Sequence, residues 1–288
     1  MTTAQPTAKA ASASLPIFGT ILEGYRATAR HVGSFILLLI VWTAVAVGTD
    51  YAVEALTHTL SDLRAHYTLA TAVRYEAMHL VPYAELLVAA SLIGVTVYRA
   101  IILGEEPGWD SLWRIGRREL RYIGLAIVFY VPLHVGMTSL EIAINLGVAP
   151  VRLQHAVHAI GIPILRLLSL SVAAHLLVSI AFAPFFALAF PLVAIGAPGG
   201  VLRRSMRMGR GHRIRLGAIG FLAPLPLIPL AYALYLAGEA TTTTLELLQS
   251  TTVTFLRLLA SALVVGVFAV AFQRVTGHSN KGTYDVFD

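Results

Sequence analysis

The chain has no cysteine, which excludes disulfides, thiolate nucleophiles, iron–sulfur clusters and cysteine-bound zinc together and leaves the redox compartment unread. Charge is scarce as well. Only 12% of the 288 residues are Asp, Glu, Lys or Arg, about half the usual share of about 25% in soluble domains. Against that, 57% are hydrophobic and the mean hydropathy is +0.75. So little polar surface cannot cover a water-soluble globule of this length, so the composition implies an integral membrane protein. Met1–Ser14, mostly Ala, Ser and Thr around Pro6 and Lys9, lacks the apolar core of a secretory signal and reads as a disordered tail.

What the chain does have is long apolar runs. Spanning a hydrocarbon layer of about 30 Å takes about 20 helical residues. Six segments approach or meet that length: Val32–Thr49, Val81–Ile102, Tyr122–Ile144, Pro163–Ile195, Leu216–Gly238 and Thr251–Phe272. Lipid permits only helices or closed barrels, and uninterrupted apolar runs lack the alternation of barrel strands. The expected fold is therefore all-α, a polytopic bundle of six transmembrane helices. Leu167–Gly200 carries no charge and would extend about 50 Å as one straight helix. A bend near Pro184 or Pro191 is expected, because proline removes a backbone donor and crowds the preceding turn.

Orientation follows from the basic residues. With the N-terminus cytoplasmic, the inner side holds Lys9, Arg26, Arg30, Arg99, Arg114, Arg117, Arg118, Arg121, Arg203, Arg204, Arg207, Arg210, Arg213, Arg215, Arg274 and Lys281, out of 21 in all. Only Arg64, Arg74, Arg152, Arg166 and Arg257 lie in or near the opposite side. The positive-inside rule then places both termini in the cytoplasm of a bacterial cell with the chain in its inner membrane. Leu15, Phe18, Leu22 and Tyr25 recur at helical spacing, which describes an amphipathic helix in the inner interface. Leu56, Leu60, Leu63 and Tyr67 repeat the pattern in the first outer connection. The chain divides into a tail at 1–14, an interfacial helix at 15–31, the six-helix domain at 32–273 and a cytoplasmic tail at 274–288.

The two basic inner connections resemble each other. Arg114-Ile115-Gly116-Arg117 followed by Gly124 aligns at a constant offset with Arg207-Met208-Gly209-Arg210 followed by Gly217. Each follows an apolar span and a glycine-containing bend, 103–108 in one and 196–200 in the other. Both units enter the loop from outside and return outward, so the expected repeat is parallel, about an axis along the membrane normal. In the second copy, Val201-Leu202-Arg203-Arg204-Ser205-Met206-Arg207-Met208-Gly209-Arg210-Gly211-His212-Arg213-Ile214-Arg215 resembles a signature in the membrane domain of glycerophosphoryl diester phosphodiesterases and related bacterial membrane proteins. It departs at Met206 and Ile214, where that family often has tryptophan, and at His212 in place of asparagine. The resemblance implies a multi-helix membrane domain. It does not imply phosphodiesterase activity, because the catalytic part of that enzyme is a separate soluble barrel for which six spans leave no room.

On a helix, Arg114, Arg117, Arg118 and Arg121 share one face and Leu112, Gly116, Leu120 and Ile123 the other, so the segment can lie along the headgroups. Trp109 and Trp113 suit the same depth. Basic residues beside an anionic leaflet contribute about 1 kcal/mol each. Arg114, Arg117, Arg118, Arg121, Arg203, Arg204, Arg207, Arg210 and Arg213 are therefore candidates for holding anionic lipid headgroups or a membrane-protein partner. The plainer alternative is that they only set topology; nucleic acid is not an expected partner. Ser205 has no accompanying His and carboxylate and reads as a helix cap rather than a nucleophile.

Four ionisable residues fall within the spans: Glu85, Glu141, Arg166 and Arg257. All lie within about 11 Å of the outer boundary, where each still carries part of the cost of about 2.5–3.5 kcal/mol at the bilayer centre. They can snorkel to headgroups, pair as a structural cluster, or serve a transport or proton-relay site. His134 and His175 fall near mid-depth, where two imidazoles could ligate a haem iron. A neutral histidine bonded to a carbonyl, Ser171 or Ser179 is the preferred account, and no cofactor or metal is expected. His155 and His158 lack further ligands and any His-Glu-x-x-His pattern. Neither glycine-containing bend ends in the Gly-Lys-Ser/Thr of a phosphate loop. The expectation is a non-enzymatic scaffold, accessory subunit or lipid-associated module, with a small transporter using the outer charged cluster as the alternative.

Overall fold

The computed structural model describes residues 15–58, 69–105, 115–145, 186–227 and 243–277. Those residues are helical, with no strand among them. The helices are α1 (Ile17–Arg30), α2 (Val32–His58), α3 (Leu69–Leu103), α4 (Arg117–Asn145), α5 (Ala189–Ala194), α6 (Val201–Gly209), α7 (Arg213–Leu222) and α8 (Thr243–Thr276). Three are long and apolar enough to cross a membrane: α2 over Phe35–Val53, α3 over Leu80–Leu103 and α8 over Leu247–Thr276. In those windows 61% of α3 is buried against 28% of α2, which makes α3 a central helix and α2 a peripheral one. α8 joins α3 at the centre, packing on α1, α2, α3 and α7.

The core between them is apolar and close-packed. Phe35, Leu38 and Leu39 of α2, Ile93, Val97 and Tyr98 of α3, Leu188 and Leu192 beside or within α5, and Leu258 and Phe272 of α8 are fully buried. Equally large apolar side chains point outward, including Ile40, Val45, Leu80, Val81, Ile127, Val128 and Leu248. In water such a belt would be an association surface, whereas in lipid it is the ordinary outer face of a helix. Hydroxyls within the apolar helices bond back to the carbonyl four residues earlier, as Thr43 does to Leu39 at 2.7 Å and Ser91 to Leu87 at 2.7 Å. That local bond satisfies them where water is absent.

Prolines set the breaks. α5 starts only after a turn at Ala187–Leu188, immediately before Pro191, so the interruption expected near that proline is present; Pro184 lies outside the described residues. The fifth apolar segment does not run on as one helix from Leu216. α7 stops at Leu222 and gives way to a 3-10 turn at Leu225–Leu227, because Pro224 and Pro226 supply no backbone donors. The carbonyl of Ala223 at this break accepts a hydrogen bond from the Tyr25 hydroxyl. Gly196, at φ 82°, closes α5 in a Schellman motif, with its N–H on Val193 O at 3.0 Å and that of Ala197 on Leu192 O at 2.9 Å. The left-handed conformation there suits only glycine. Pro82 and Pro132, by contrast, are accommodated inside α3 and α4.

α1 forms as expected but buries a different face. Phe18 and Leu22 are 77% and 51% exposed, and the buried residues are Thr20, Ile21, Gly24 and Thr28. This stripe of small and hydroxyl residues at four-residue spacing lets two backbones approach closely. A Cβ added at Gly24 would stand 2.4 Å from Val267 Cα, and one at Gly266 would stand 1.7 Å from Thr28 Oγ1. Arg274 anchors the other end, bonding Thr20 Oγ1 at 2.8 Å and pairing with Glu23. Contacts at Gly266 and Arg274, about 12 Å apart on α8, lay α1 along the C-terminal half of that helix. Of the expected apolar stripe, Phe18 and Leu22 are left facing outward, whereas Leu15 is buried and Tyr25 packs against the core.

Candidate functional site

At the end of the bundle where α3 stops and α4 starts, acids and bases sort into two groups. Arg99, near the end of α3, is held by Glu105 and lies 3.9 Å from Glu119. Glu119 in turn accepts from the backbone N–H of Gly116 at 2.9 Å, the half of a capping box in which the third helical residue reaches back to the N-cap. This cluster ties the end of α3 to the start of α4 and engages both acids of the described part of that connection, Glu105 and Glu119. Gln273 of α8 adds a bond to the carbonyl of Ile101 at 3.0 Å, one of the orphan acceptors at the α3 terminus.

The candidate arginines stand apart from that cluster. Arg117, Arg118 and Arg121 at the start of α4, and Arg203, Arg207 and Arg210 around α6, are exposed. None of the six forms an ion pair among the described residues. Arg204 is half-buried, Arg213 is exposed, and both are engaged by neighbouring groups. Arg114 lies outside the described residues. Arg118 lies across the end of α5, since a Cβ on Gly196 would meet its Nε at 3.5 Å. A cation there complements the negative end of the helix.

α6 has three sides. Val201, Ser205, Met208 and Gly209 face the protein, with Ser205 and Gly209 buried. At about 100° per residue, Leu202 and Met206 fall together on a second, exposed side, and Arg203, Arg207 and Arg210 on a third. A helix seated at an interface has this division, with protein, hydrocarbon and headgroups each receiving one side. Ser205 therefore sits in mid-helix and is not a cap. The N-cap is Gly200, whose φ of 78° again favours glycine.

Of the four charges expected within the spans, Glu85 is half-buried, and its Oε1 has no hydrogen-bond partner. Arg257 is exposed, and the two do not pair with each other. Glu141 falls within α4, but its side chain lies outside the described residues, as does all of Arg166. The side chains of His134, His155, His158 and His175 are outside them too.

Sequence reading missed a cavity. A space of about 390 Å³ lies between α3, α4, α8 and the segments around α5 and α7, lined by four tyrosines, Tyr83, Tyr98, Tyr122 and Tyr130, together with Phe129, Phe186, Phe190 and Phe268. The rings touch in tilted pairs, Tyr122 to Phe190 at 4.9 Å and Phe129 to Phe186 at 4.4 Å between centroids. Gly94 makes room for the Tyr122 hydroxyl, which a Cβ there would approach to 2.5 Å. Tyr83 donates to the carbonyl of Tyr130 at 3.1 Å. Tyr98 and Tyr122 are 2% and 5% exposed, and their hydroxyls have no hydrogen-bond partner among the described residues. The signal was present as aromatic and small residues in helical register: Tyr83, Leu87, Ala90, Ser91, Gly94 and Tyr98 on α3, and Tyr122, Ala126 and Phe129 on α4.

Comparison of the chain with protein-family models, with curated proteins and with solved structures finds no match.

Proposed function

We propose that this chain is a non-enzymatic inner-membrane protein of six spans, both termini cytoplasmic, whose basic inner face holds anionic phospholipid headgroups and acts as a scaffold or accessory subunit for a membrane partner. The observation that carries the reading is the set of exposed arginines of α4 and α6, without acidic partners among the described residues while Arg99 and Arg274 are paired. Guanidinium groups in that state bind phosphate well. At about 1 kcal/mol for each basic residue near an anionic leaflet, six would supply several kcal/mol.

The parallel repeat belongs to the same reading. It is supported by the left-handed glycines Gly104 and Gly196, which end the apolar helix before each basic connection. The likeness of Val201–Arg215 to the membrane domain of glycerophosphoryl diester phosphodiesterases supports a multi-helix membrane module and brings no hydrolytic residues. A second reading, a small transporter using Glu85, Glu141, Arg166 and Arg257, draws on the unpartnered buried oxygen of Glu85; the exposure of Arg257 weighs against a closed cluster.

The test is purification in mild detergent with quantification of bound phosphatidylglycerol and cardiolipin. The Arg207→Gln/Arg210→Gln variant should lose about 2 kcal/mol of attraction, or about 30-fold in affinity. Unchanged lipid retention overturns the lipid-binding reading.

A further inference from the structure

Buried phenols ordinarily donate their hydroxyl protons to a partner, and an exception calls for an explanation. Tyr98 and Tyr122 are such exceptions, more than nine-tenths buried and lining the cavity, with hydroxyls that meet no acceptor among the described residues. Each offers a donor to whatever occupies that space. Most of the remaining lining is Leu, Ala, Val and Phe, so the occupant is apolar along most of its length and carries an acceptor oxygen at one place.

Shape narrows the choice. The lining on α3 runs from Tyr83 to Tyr98, about 22 Å of helix axis. An extended polymethylene chain can follow a lining of that length, with Leu, Ala, Val and Phe along its course.

Depth narrows it further. Tyr98 lies five residues before the end of α3 at Leu103, and Tyr122 five residues after the start of α4 at Arg117. Both hydroxyl-bearing residues therefore sit about 7.5 Å in from the inner helix ends. The polar layer of a bilayer is about 5–7 Å thick on each side, so this is where the ester carbonyls of a phospholipid meet the hydrocarbon. Arg118 stands one turn nearer the headgroups, on the same face of α4 as Tyr122.

We infer that the cavity holds one acyl chain of an inner-leaflet phospholipid, whose ester carbonyl accepts a hydrogen bond from Tyr98 or Tyr122. The inference rests on the proposed membrane orientation for its leaflet and on the basic face for the headgroup. The full chain, reconstituted with phosphatidylglycerol bearing a diazirine midway along one acyl chain, is irradiated and digested, and adducts are mapped by mass spectrometry. Adducts are expected among Leu86–Ser91, Ala126–Tyr130 or Phe186–Phe190 on cavity-lining residues. Filling the cavity with Ala126→Trp should abolish them. The milder Tyr98→Phe/Tyr122→Phe variant, which keeps the ring packing, should reduce them at least fivefold, the equivalent of one hydrogen bond of about 1 kcal/mol.

Adducts confined to the outward-facing Ile127, Val128 and Val135 overturn the inference, whatever the lipid-retention result for Arg207 and Arg210. Labelling unaffected by the double tyrosine variant overturns it too, by removing the hydroxyls' role. Equal cavity labelling by phosphatidylcholine and phosphatidylglycerol supports the acyl-chain site and instead overturns the anionic-headgroup reading of the basic face.

Discussion

The close approach of α1 to α8 supplies a sharp test. At Gly24 an added methyl would stand 2.4 Å from Val267 Cα and 2.8 Å from Val267 N, where ordinary contact begins near 3.4 Å. The obstructing atoms are backbone, so no rotamer change relieves the overlap, and α1 must lift from α8 by about 1 Å. A gap of 0.5–1 Å forfeits about a quarter to a half of each dispersion contact, and because backbone atoms cannot rotate aside the overlap falls in the upper part of the overpacking range, about 2–3 kcal/mol. Alanine returns about 1 kcal/mol through its better helix propensity. A net loss of about 1–2 kcal/mol for Gly24→Ala remains, a 5- to 30-fold shift toward undocked α1. Because the chain has no cysteine, a single Ile21→Cys, at a buried α1 position, reports undocking without background. Its maleimide labelling should accelerate 5- to 30-fold in Gly24→Ala and stay unchanged in Gly33→Ala, where nothing lies within 4 Å. Equal labelling of the Gly24→Ala variant and the parent would refute the close α1–α8 contact.

Other substitutions probe the ends of the helices. Gln273→Leu removes the donor to Ile101 O and should cost about 1–3 kcal/mol, read as a lower unfolding midpoint in detergent; an unchanged midpoint would mean that this carbonyl is satisfied elsewhere. Gly196→Ala forces a side chain into a left-handed position and should cost about 1–2 kcal/mol. Gly199→Ala, with open space and no positive φ, should cost nothing measurable, and equal effects of the two would contradict the Schellman stop. Burial raises the Tyr25 phenol above its ordinary value of 10.0, and its protonated form donates to Ala223 O. Its contribution is therefore complete below about pH 10 and lost as pH rises through the raised value. Tyr25→Phe should remove this part of the alkaline loss of stability, and a variant with the parental alkaline profile would exclude the bond.

Much of the fold was legible from local patterns. α2 starts at the expected Val32 and runs past Thr49 to His58, and α8 starts at Thr243, about two turns before the expected Thr251, since hydrophobicity marks the lipid-embedded part and helices continue past it. The break before Pro191 was legible because a missing N–H is a property of the residue itself. The break after Leu222 was open to the same argument from Pro224 and Pro226, and the apolar run through them concealed it. The exposed state of Arg117, Arg118, Arg121, Arg203, Arg207 and Arg210 also agrees with their expected placement on a solvent or headgroup face.

Sequence by itself determined that the chain is helical and built for lipid, because in the absence of water each backbone group must find its partner within its own segment. It did not determine which side of a helix meets another helix. Hydrocarbon is as apolar as leucine, so Phe18 and Leu22 gain little by turning inward, while Thr20, Gly24 and Thr28 gain close contact. Only the tertiary structure decided that α1 docks through its small residues, that Arg99 pairs with Glu105 while Arg118 lies across the end of α5, and that tyrosines from two helices converge on one cavity. Each depends on which surfaces become neighbours, and in a bilayer that choice is made by shape and hydrogen bonding.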